Sequence, residues 1–308
     1  MRDRTTARIL GALSVLLACW ASPAAPFAAS DALAVQIALD RRGFSCNVID
    51  GEWGRKSQVA LATYCAVNAL ELPASPAAAR AQLFSDEPTL FTVRTVSQDE
   101  AAACRKLPAT PEQKARLDRM GFETLQEMYA EYGHLSEGAL RRLNPRLAWP
   151  NPPVGSRVTL PDFSRVQTPK GAAAVLRVSL ARFEITVFNE AGTLIALFPC
   201  SIAAKQAKRP PAGELRVTTL IPDPDYTYTA ERASPNGRIA RWIFPPGPNN
   251  PVGRAWIGLT LPGYGIHGTP FPERVGRAES HGCFRLANWN AVRLCRLCEN
   301  GVSVIVEP

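Results

Sequence analysis

Short runs of β-forming residues, each followed by turn residues, fill residues 172–308. The runs are rich in Val, Ile, Phe and Thr, a composition that predicts many short strands. They cover residues 176–179, 184–188, 193–198, 215–221, 255–259 and 302–306. A single helical pattern begins near Trp289, with Asn288 placed to cap it and Gly301 to end it. These features predict a mainly β domain, a sandwich or barrel-like fold with one helix.

The chain has 308 residues, more than a single domain of ~100–200 residues usually takes. Hydrophobic residues make up 46% and charged residues 20%, which argues against a disordered chain. The net charge of +8 permits a polyanionic partner such as nucleic acid, a membrane surface or an acidic cell wall, and selects none of them. The whole chain is therefore expected to be a multidomain α+β protein.

The N-terminus predicts export. Residues 1–29 have the order of a secretory signal, with arginines before an apolar run and small residues after it. Two cleavage patterns compete: Ser22-Pro23-Ala24 suits ordinary signal peptidase, and Leu16-Leu17-Ala18-Cys19 resembles a lipobox that would anchor Cys19 to lipid. No later stretch approaches the ~18 apolar residues of a spanning helix, so the mature chain is expected to have no integral span. The predicted location is the periplasm or cell envelope.

Residues 30–72 predict a small helical module. A helical pattern containing Gln36 and Leu39 ends at Gly43, and the turn Asp50-Gly51-Glu52-Trp53-Gly54 follows. A second helix is predicted from Ser57. These residues resemble the helical peptidoglycan-binding module found beside cell-wall enzymes. The alternative interpretation is that Asp50-Gly51 is only a favourable turn.

Residues 85–165, which follow an Ala/Pro-rich stretch, predict a second small module. A strand is expected over residues 90–96, and apolar residues at helical spacing from Leu125 predict a helix. Ser136 is placed to cap another helix that ends before Asn144-Pro145, and a short strand follows Gly155. This order is similar to a lysin-motif module, a family that binds glycan strands.

Cysteines in an exported chain usually form disulfides. Six of the eight are expected to pair if Cys19 belongs to the export segment and Cys283 stays a free thiol. Those six are Cys46, Cys65, Cys104, Cys200, Cys295 and Cys298. Cys46 and Cys65 lie in one module and are the favoured pair, while the other pairings stay open.

Two of the three histidines, His267 and His281, lie close in sequence to Cys283. A cysteine nucleophile needs a nearby base because free thiols are mostly protonated at neutral pH. Histidine is the usual base, and Gly282 allows a tight turn whose N–H groups stabilise an oxyanion. Zinc binding by the same three side chains and a structural disulfide at Cys283 are the competing interpretations.

The sequence around His267 and Cys283 resembles the catalytic domain of the L,D-transpeptidase family. That family carries His-Gly-Thr and then, after a spacer, Ser-His-Gly-Cys-x-Arg. Here the first motif begins at His267 and the second runs from Ser280 to Arg285. The resemblance covers residues 172–308 and favours the thiol nucleophile.

The resemblance implies a role for each matching residue. Cys283 is the nucleophile, and His267 is the general base, oriented by the carbonyl of Gly268. The amides of His281, Gly282 and Cys283 form the oxyanion hole, and His281 also shapes the site. The implied substrate-binding residues are Ser280, Thr269, Tyr264 and Arg285. For Arg285 the alternatives are a substrate carboxylate and structural hydrogen bonds, and for Tyr264 they are lining the pocket and core packing.

The implied reaction is acyl transfer on peptidoglycan stem peptides, which serves cell-wall biogenesis. The thiolate attacks the L-centre carbonyl of the third-position diamino acid, D-alanine leaves, and an amine accepts the acyl group to give a 3→3 cross-link. The acceptor stays open between another stem peptide, a lipoprotein amine and water, which would make the chain a carboxypeptidase or amidase. No metal, cofactor or nucleic acid is implied. A non-catalytic wall-binding protein is the hypothesis from a different class.

Overall fold

The computed structural model describes residues 30–87, 89–230, 239–280 and 282–308. The predicted export segment, its Cys19 and the site residue His281 lie outside the described residues. The helices are α1 (Asp31–Arg41), α2 (Arg55–Val67), α3 (Pro76–Leu83), α4 (Gln98–Ala103), α5 (Pro111–Lys114), α6 (Leu125–Tyr132), α7 (Glu137–Leu143) and α8 (Asn288–Leu297). The strands are β1 (Phe91–Thr95), β2 (Arg157–Pro161), β3 (Val175–Ser179), β4 (Glu184–Phe188), β5 (Leu194–Pro199), β6 (Ile202–Ala203), β7 (Gly213–Pro222), β8 (Tyr226–Thr229), β9 (Arg241–Phe244), β10 (Ala255–Leu259), β11 (Gly265–His267), β12 (Ala278–Ser280), β13 (Phe284–Arg285) and β14 (Ser303–Glu307).

The C-terminal part is built on one eight-stranded mixed sheet in the order β13-β11-β10-β7-β14-β3-β4-β5. The long strand β7 joins its two halves, because its first residues pair with β14 and its later residues with β10. Ile185 from one half and Ile257 from the other lie in the same core and are fully buried. The sheet therefore curls around a single core.

The two ends of this sheet meet. The chain leaves β5 and reaches Ser201, which exchanges two backbone hydrogen bonds with Arg285 of β13, at 2.8 and 3.0 Å. The mainly β domain with one helix is confirmed within the described residues. Of the two architectures that the sequence left open, the barrel-like one is nearer to a single curled sheet that closes back on itself, and the sandwich is wrong. The short runs and turns that suggested a sandwich are equally typical of a curled sheet, because strand length and spacing do not encode which strands pair.

Helix α8 is the only α-helix in the described residues after 172, as the sequence predicted, and it packs on β7, β10 and β11. Ala291, Leu294 and Leu297 face the core of the curled sheet. The prediction that Asn288 caps this helix is wrong. Ala287 occupies the N-cap position without a side-chain hydrogen bond, and the buried amide of Asn288 is bonded elsewhere.

The middle part, residues 85–165, contains the predicted strand, two helices and final strand, together with two short helices, α4 and α5, that the sequence analysis did not predict. β1 and β2 pair antiparallel, and α6 and α7 lie between them in sequence and pack with β2. Ser136 caps α7 as predicted, accepting from the backbone N–H of Ala139. Leu125, Leu140 and Val158 bring both helices and β2 into one core.

The first part contains the two predicted helices α1 and α2 around the residue 50–54 turn. Gln36 ties this turn to α2, because its amide donates to Asp50 and to Ser57 Oγ at 2.9 Å each. A third helix, α3, packs against α1. The sequence interpretation missed it by treating the Ala/Pro-rich stretch as a linker, although Ser75 caps the helix and Pro76 takes its first turn, which are typical start signals.

The first part is docked on the free edge of the curled sheet. Ser45 N–H donates to the carbonyl of Leu197 on β5, and Leu197 N–H donates to Gly43, both at 2.9 Å. Arg293 of α8 donates to the carbonyl of Asp40 at 2.5 Å. Pairing of this kind covers an edge strand that would otherwise expose unpaired backbone groups.

All three parts meet at His134. Its ring stacks on Phe163 and on Trp289, with centroids 4.0 and 5.0 Å away, and its Nδ1 lies 2.9 Å from the carboxylate of Asp40. Asp40 belongs to α1, His134 follows α6, and Trp289 belongs to α8. This histidine therefore has a structural setting.

The seven cysteines in the described residues are all free thiols, in contrast to the predicted disulfides. The six other than Cys283 are distributed over three separate cores. Cys46 and Cys65 share the core of the first part, Cys200, Cys295 and Cys298 pack in or on that of the curled sheet, and Cys104 packs on the middle one. Complete pairing of six is not met, since Cys104 shares its core with no other cysteine.

Within the described ranges, none of the helices combines the length and the apolar character required to cross a bilayer.

Candidate active site

Strands β10, β11 and β13 place the two catalytic candidates on one face of the sheet. β11 and β13 run parallel, with Ile266 opposite Phe284, and both of these side chains are fully buried in the core. Side chains alternate along a strand, so His267 and Cys283, the neighbours of this pair, point away from the core. Cys283 directly precedes β13, and His267 lies opposite Arg285 on the neighbouring strand, so the register sets Cys283 diagonally across from His267.

His267 is buried, and its environment fixes one tautomer. Its Nδ1 lies 2.6 Å from the carbonyl oxygen of Gly268, which only accepts hydrogen bonds. Nδ1 must therefore carry the proton, which leaves the Nε2 lone pair free to take another. Burial lowers the pKa of His267 to about 4; the Gly268 carbonyl acts against this effect, and the nearby charge of Arg285 adds to it. The imidazole is neutral at pH 7.

Trp256 holds the other side of the imidazole. It pairs with His267 across β10 and β11, and the two rings stack with centroids 5.6 Å apart and planes 20° apart. Gly265 makes room for this indole, because a Cβ there would lie 2.6 Å from the Trp256 ring. The sequence analysis did not include Trp256. Only the register of β10 against β11 identifies it, and no spacing rule shows that register.

Cys283 is half-buried, and its thiol donates to the carbonyl of Gly263 at 3.6 Å. Burial raises the pKa of the thiol, while the N–H of Gly265 and the charge of Arg285 act in the opposite direction. The pair is thus neutral when no substrate is bound, with the proton on sulfur. Gly263 was also absent from the predicted site.

The turn that carries Cys283 is tied by Ser280. The Ser280 hydroxyl donates to the carbonyl of Cys283 at 2.6 Å and accepts from the N–H of Gly282 at 3.3 Å. Ser280 is only 4% exposed. Its hydroxyl is therefore committed within the turn.

Tyr264 and the loop at Lys208 form a wall beside this turn. The Tyr264 hydroxyl donates to the carbonyl of Lys208 at 3.2 Å, and its ring lies 3.5 Å from the position a Gly282 Cβ would take. Thr269 is buried, and its hydroxyl accepts from the N–H of Phe271 at 3.3 Å. A Cβ at position 282 would therefore be in ordinary van der Waals contact with Tyr264.

Arg285 lies on the same face as His267 and Cys283. Its backbone pairs with Ser201, and its buried Nε has no hydrogen-bond partner in the structure. Because a guanidinium binds a carboxylate well, this unused donor can take a carboxylate of a bound substrate. Within the described residues, no group of three or more His, Cys, Asp or Glu side chains is arranged to hold a metal ion.

Solved structures similar to this chain include several L,D-transpeptidases. L,D-transpeptidase 3 from Mycobacterium tuberculosis has a TM-score of 0.36 and 16% identity, over 53% of this chain and 78% of that one. The catalytic domain of the Enterococcus faecium L,D-transpeptidase acylated by ertapenem has a TM-score of 0.33 and 21% identity, over 44% and 97%.

Curated relatives carry the same description. A putative L,D-transpeptidase YkuD from Bacillus licheniformis is 25% identical over 186 residues, which cover 60% of this chain and 94% of the relative. A putative L,D-transpeptidase from Fuscovulum blasticum is 43% identical over 122 residues, 39% of this chain and 61% of that protein. The family model for the L,D-transpeptidase catalytic domain, YkuD, matches residues 173–306. Residues 173–306 are therefore an L,D-transpeptidase catalytic domain of the YkuD family.

Proposed function

We propose that this chain is a cysteine-dependent L,D-transpeptidase that acts on the stem peptides of peptidoglycan. The observation that supports this proposal most directly is the register of β11 against β13, which sets His267 opposite Arg285, two residues after Cys283. Because side chains alternate along a strand, this register favours one face of the sheet for both His267 and Cys283. The family of residues 173–306 supports the transpeptidase reaction class. The residue roles and the acceptor are parts of the proposal.

The first step is proton transfer from Cys283 to His267. The thiol releases its contact with Gly263, and Nε2 of the imidazole takes the proton, since Nδ1 already donates to Gly268. The resulting thiolate lies near Arg285, which favours the negative charge on sulfur. Burial disfavours the thiolate and the imidazolium when each is considered alone. A bound substrate that excludes water lowers the local dielectric, which strengthens the attraction between the two ions.

The second step forms the acyl-enzyme. The thiolate attacks the L-centre carbonyl carbon of the third-position diamino acid, and a tetrahedral oxyanion forms opposite the N–H of Cys283. The N–H of Gly282 joins it by leaving its 3.3 Å contact with the Ser280 hydroxyl. The bond to D-alanine breaks, and its nitrogen takes the proton from His267. A thioester on Cys283 remains, and D-alanine leaves as the free amino acid.

The third step regenerates the free enzyme. His267 takes a proton from an incoming amine, whose nitrogen attacks the thioester carbon, and the sulfur leaves and recovers the proton. An amine from a second stem peptide gives the 3→3 cross-link. Two other acceptors are possible in the same site: a lipoprotein amine, and water, which yields a tripeptide without a cross-link.

Purified protein incubated with tetrapeptide muropeptides tests this proposal by mass spectrometry. We expect loss of D-alanine together with dimer formation, and neither product with Cys283→Ala. D-alanine loss without dimers would replace the amine acceptor with water. Unchanged substrate with the native chain would contradict the enzyme and leave a wall-binding protein.

The proposal includes export to the cell envelope, where the substrate is located. It rests on the sequence of residues 1–29. Radiolabelled fatty acid incorporated by the native chain and not by Cys19→Ser would demonstrate a lipid anchor. Export without label would favour ordinary cleavage near Ala24, and retention of the full-length chain in the cytoplasm would contradict export.

A further inference from the structure

The side-chain amide of Asn288 is wedged against the backbone next to the candidate base. Asn288 is fully buried at the start of α8, and its Oδ1 accepts from the N–H of Arg254 at 3.1 Å. A Cβ added to Gly268 would lie 2.4 Å from that oxygen, and one added to Gly253 would lie 2.1 Å from it. The two glycines leave just enough room for this amide. A movement of the Asn288 side chain would therefore be felt by the Gly253 and Gly268 backbone, and the reverse.

This contact matters because of what Gly268 does. Its carbonyl accepts from Nδ1 of His267 at 2.6 Å, which sets the tautomer and favours the protonated imidazole. A shift of this peptide would weaken that bond and leave His267 a poorer base. Asn288 is therefore placed to fix the acceptor on which His267 depends.

Asn288 is itself held by a residue from another part of the chain. Its Nδ2 donates to Oε2 of Glu131 at 2.8 Å and to the carbonyl of Pro248 at 3.0 Å. Glu131 lies on α6 of the middle part, 157 positions earlier in the sequence. The bond to Glu131 is the shorter of the two, and it is the one that a side-chain substitution can remove.

The surroundings of Glu131 make its position costly. Burial raises the pKa of Glu131 to about 7, and the charges of Glu127 and Asp223 act in the same direction. The hydrogen bond from Asn288 and the charge of Arg254 favour the ionised form. Tyr132 also faces this carboxyl. A carboxylate kept where desolvation opposes its charge is typical of a group that acts on a site.

We propose that Glu131 is a positioning residue for the catalytic base. Through its hydrogen bond to Asn288 it holds the Gly268 peptide, and Gly268 holds His267. The middle part of the chain thus completes the active site of the transpeptidase domain. This inference rests on the proposed Cys283–His267 pair.

Alkylation of Cys283 by iodoacetamide in the full chain tests this inference, with the rate measured from pH 5 to pH 10 by peptide mass spectrometry. For Glu131→Ala we expect the rate at pH 7 to fall about tenfold and the midpoint of the pH profile to move to higher pH. A merely structural role would lower the yield of folded protein without moving that midpoint.

Two further variants separate the hydrogen bond from the charge. Glu131→Gln keeps an oxygen in reach of Asn288 Nδ2, and we expect it to retain the native midpoint. Glu131→Asp keeps the charge but is one methylene too short to reach Asn288, and we expect the same shift as for alanine. If Glu131→Ala fails to fold, Glu131→Asp carries the test.

Glu127→Ala is the matched control, because it removes a carboxylate one turn earlier on α6 that accepts from Asn249 instead, at 2.6 Å. We expect it to leave the midpoint unchanged. Native profiles for Glu131→Ala and Glu131→Asp would overturn the positioning role, as would a shifted profile for Glu131→Gln. His267→Ala distinguishes a failure of this inference from a failure of the proposed function. If His267→Ala also has the native pH profile, the Cys283–His267 pair itself is wrong. If His267→Ala shifts the profile and the Glu131 variants do not, only the role of Glu131 is contradicted.

Discussion

The imidazole of His267 is enclosed by its immediate neighbours, and each neighbour acts on a different property of the ring. The Gly268 carbonyl selects the tautomer, and the Trp256 indole fixes the plane of the ring. The absence of a side chain at Gly265 allows the indole to lie flat there. The reactivity of the site therefore depends on residues that carry no catalytic group.

Gly265→Ala tests this enclosure. The new Cβ would lie 2.6 Å from the Trp256 ring and 2.9 Å from the Ile257 carbonyl, so the indole must shift. We expect a loss of ~1–3 kcal/mol in the free energy of unfolding, measured by urea denaturation, and a lower rate of D-alanine release. Gly121→Ala is the control, since its Cβ would meet nothing closer than 3.6 Å. Equal stabilities for the two variants would contradict the tight packing at Gly265.

The lowered pKa of His267 gives a pH-dependent stability of known sign. The unfolded chain binds a proton at this histidine near pH 6.5, whereas the folded chain binds it only near pH 4. The unfolded state thus takes up more protons between these values, and stability falls as the pH drops through this window. We expect His267→Asn to remove a loss of about 3 kcal/mol between pH 7.5 and pH 4, measured by urea denaturation at several pH values. An unchanged pH dependence in the variant would show that the ring is not buried as described.

At the scale of elements, the turn between β12 and β13 carries the proposed nucleophile, Cys283. The Ser280 hydroxyl bridges Gly282 and Cys283 and is buried, so it shapes the turn. For Ser280→Ala we expect kcat for D-alanine release to fall about tenfold, with KM nearly unchanged. Steady-state kinetics on a tetrapeptide stem measure both constants. A raised KM with a native kcat would instead assign Ser280 to substrate binding.

Local patterns predicted many of the elements correctly, and two of the failures, at Asn288 and in the sheet, share a physical origin. The strands and the helices α6 and α7 follow from periodicity and caps that lie within a few residues of one another. Asn288 was misjudged because a helix cap is a local property, while its amide is used by Glu131 on a distant helix. The curled sheet was missed for the same reason, since pairing partners are not written in the spacing of strands.

The candidate site likewise contains residues that local motifs predict and residues that they do not. Cys283 and His267 could be found because they lie in dense motifs whose chemistry is readable residue by residue. Trp256 and Glu131 could not, because each reaches the site only through strand register or through contact between separate parts of the chain. The sequence therefore identifies reacting groups more readily than it identifies what orients them.

At the scale of the whole molecule, residues 30–165 behave as a fixed support for the catalytic domain. They cover strand β5 through Leu197, which is 2% exposed, and they reach the active site through α6. We expect residues 172–308 alone to have a lower Tm than residues 30–308 and to self-associate through the uncovered edge. Thermal unfolding and sedimentation velocity measure the two effects. A monomeric fragment with a native Tm would show that the first two parts give no support.

The ring of His134, stacked between Phe163 and Trp289 and in contact with Asp40, has a consequence for the architecture as a whole. Domains that recognise a polymer are often attached by pliable tethers, which let the enzyme search a wide radius around its anchoring point. The contacts of His134 with all three parts of the chain remove that freedom. If the first two parts bind a glycan strand, the proposed nucleophile reaches only stem peptides that lie at one fixed distance and angle from the bound sugars. The chain would then select stem peptides by the spacing between neighbouring glycan strands.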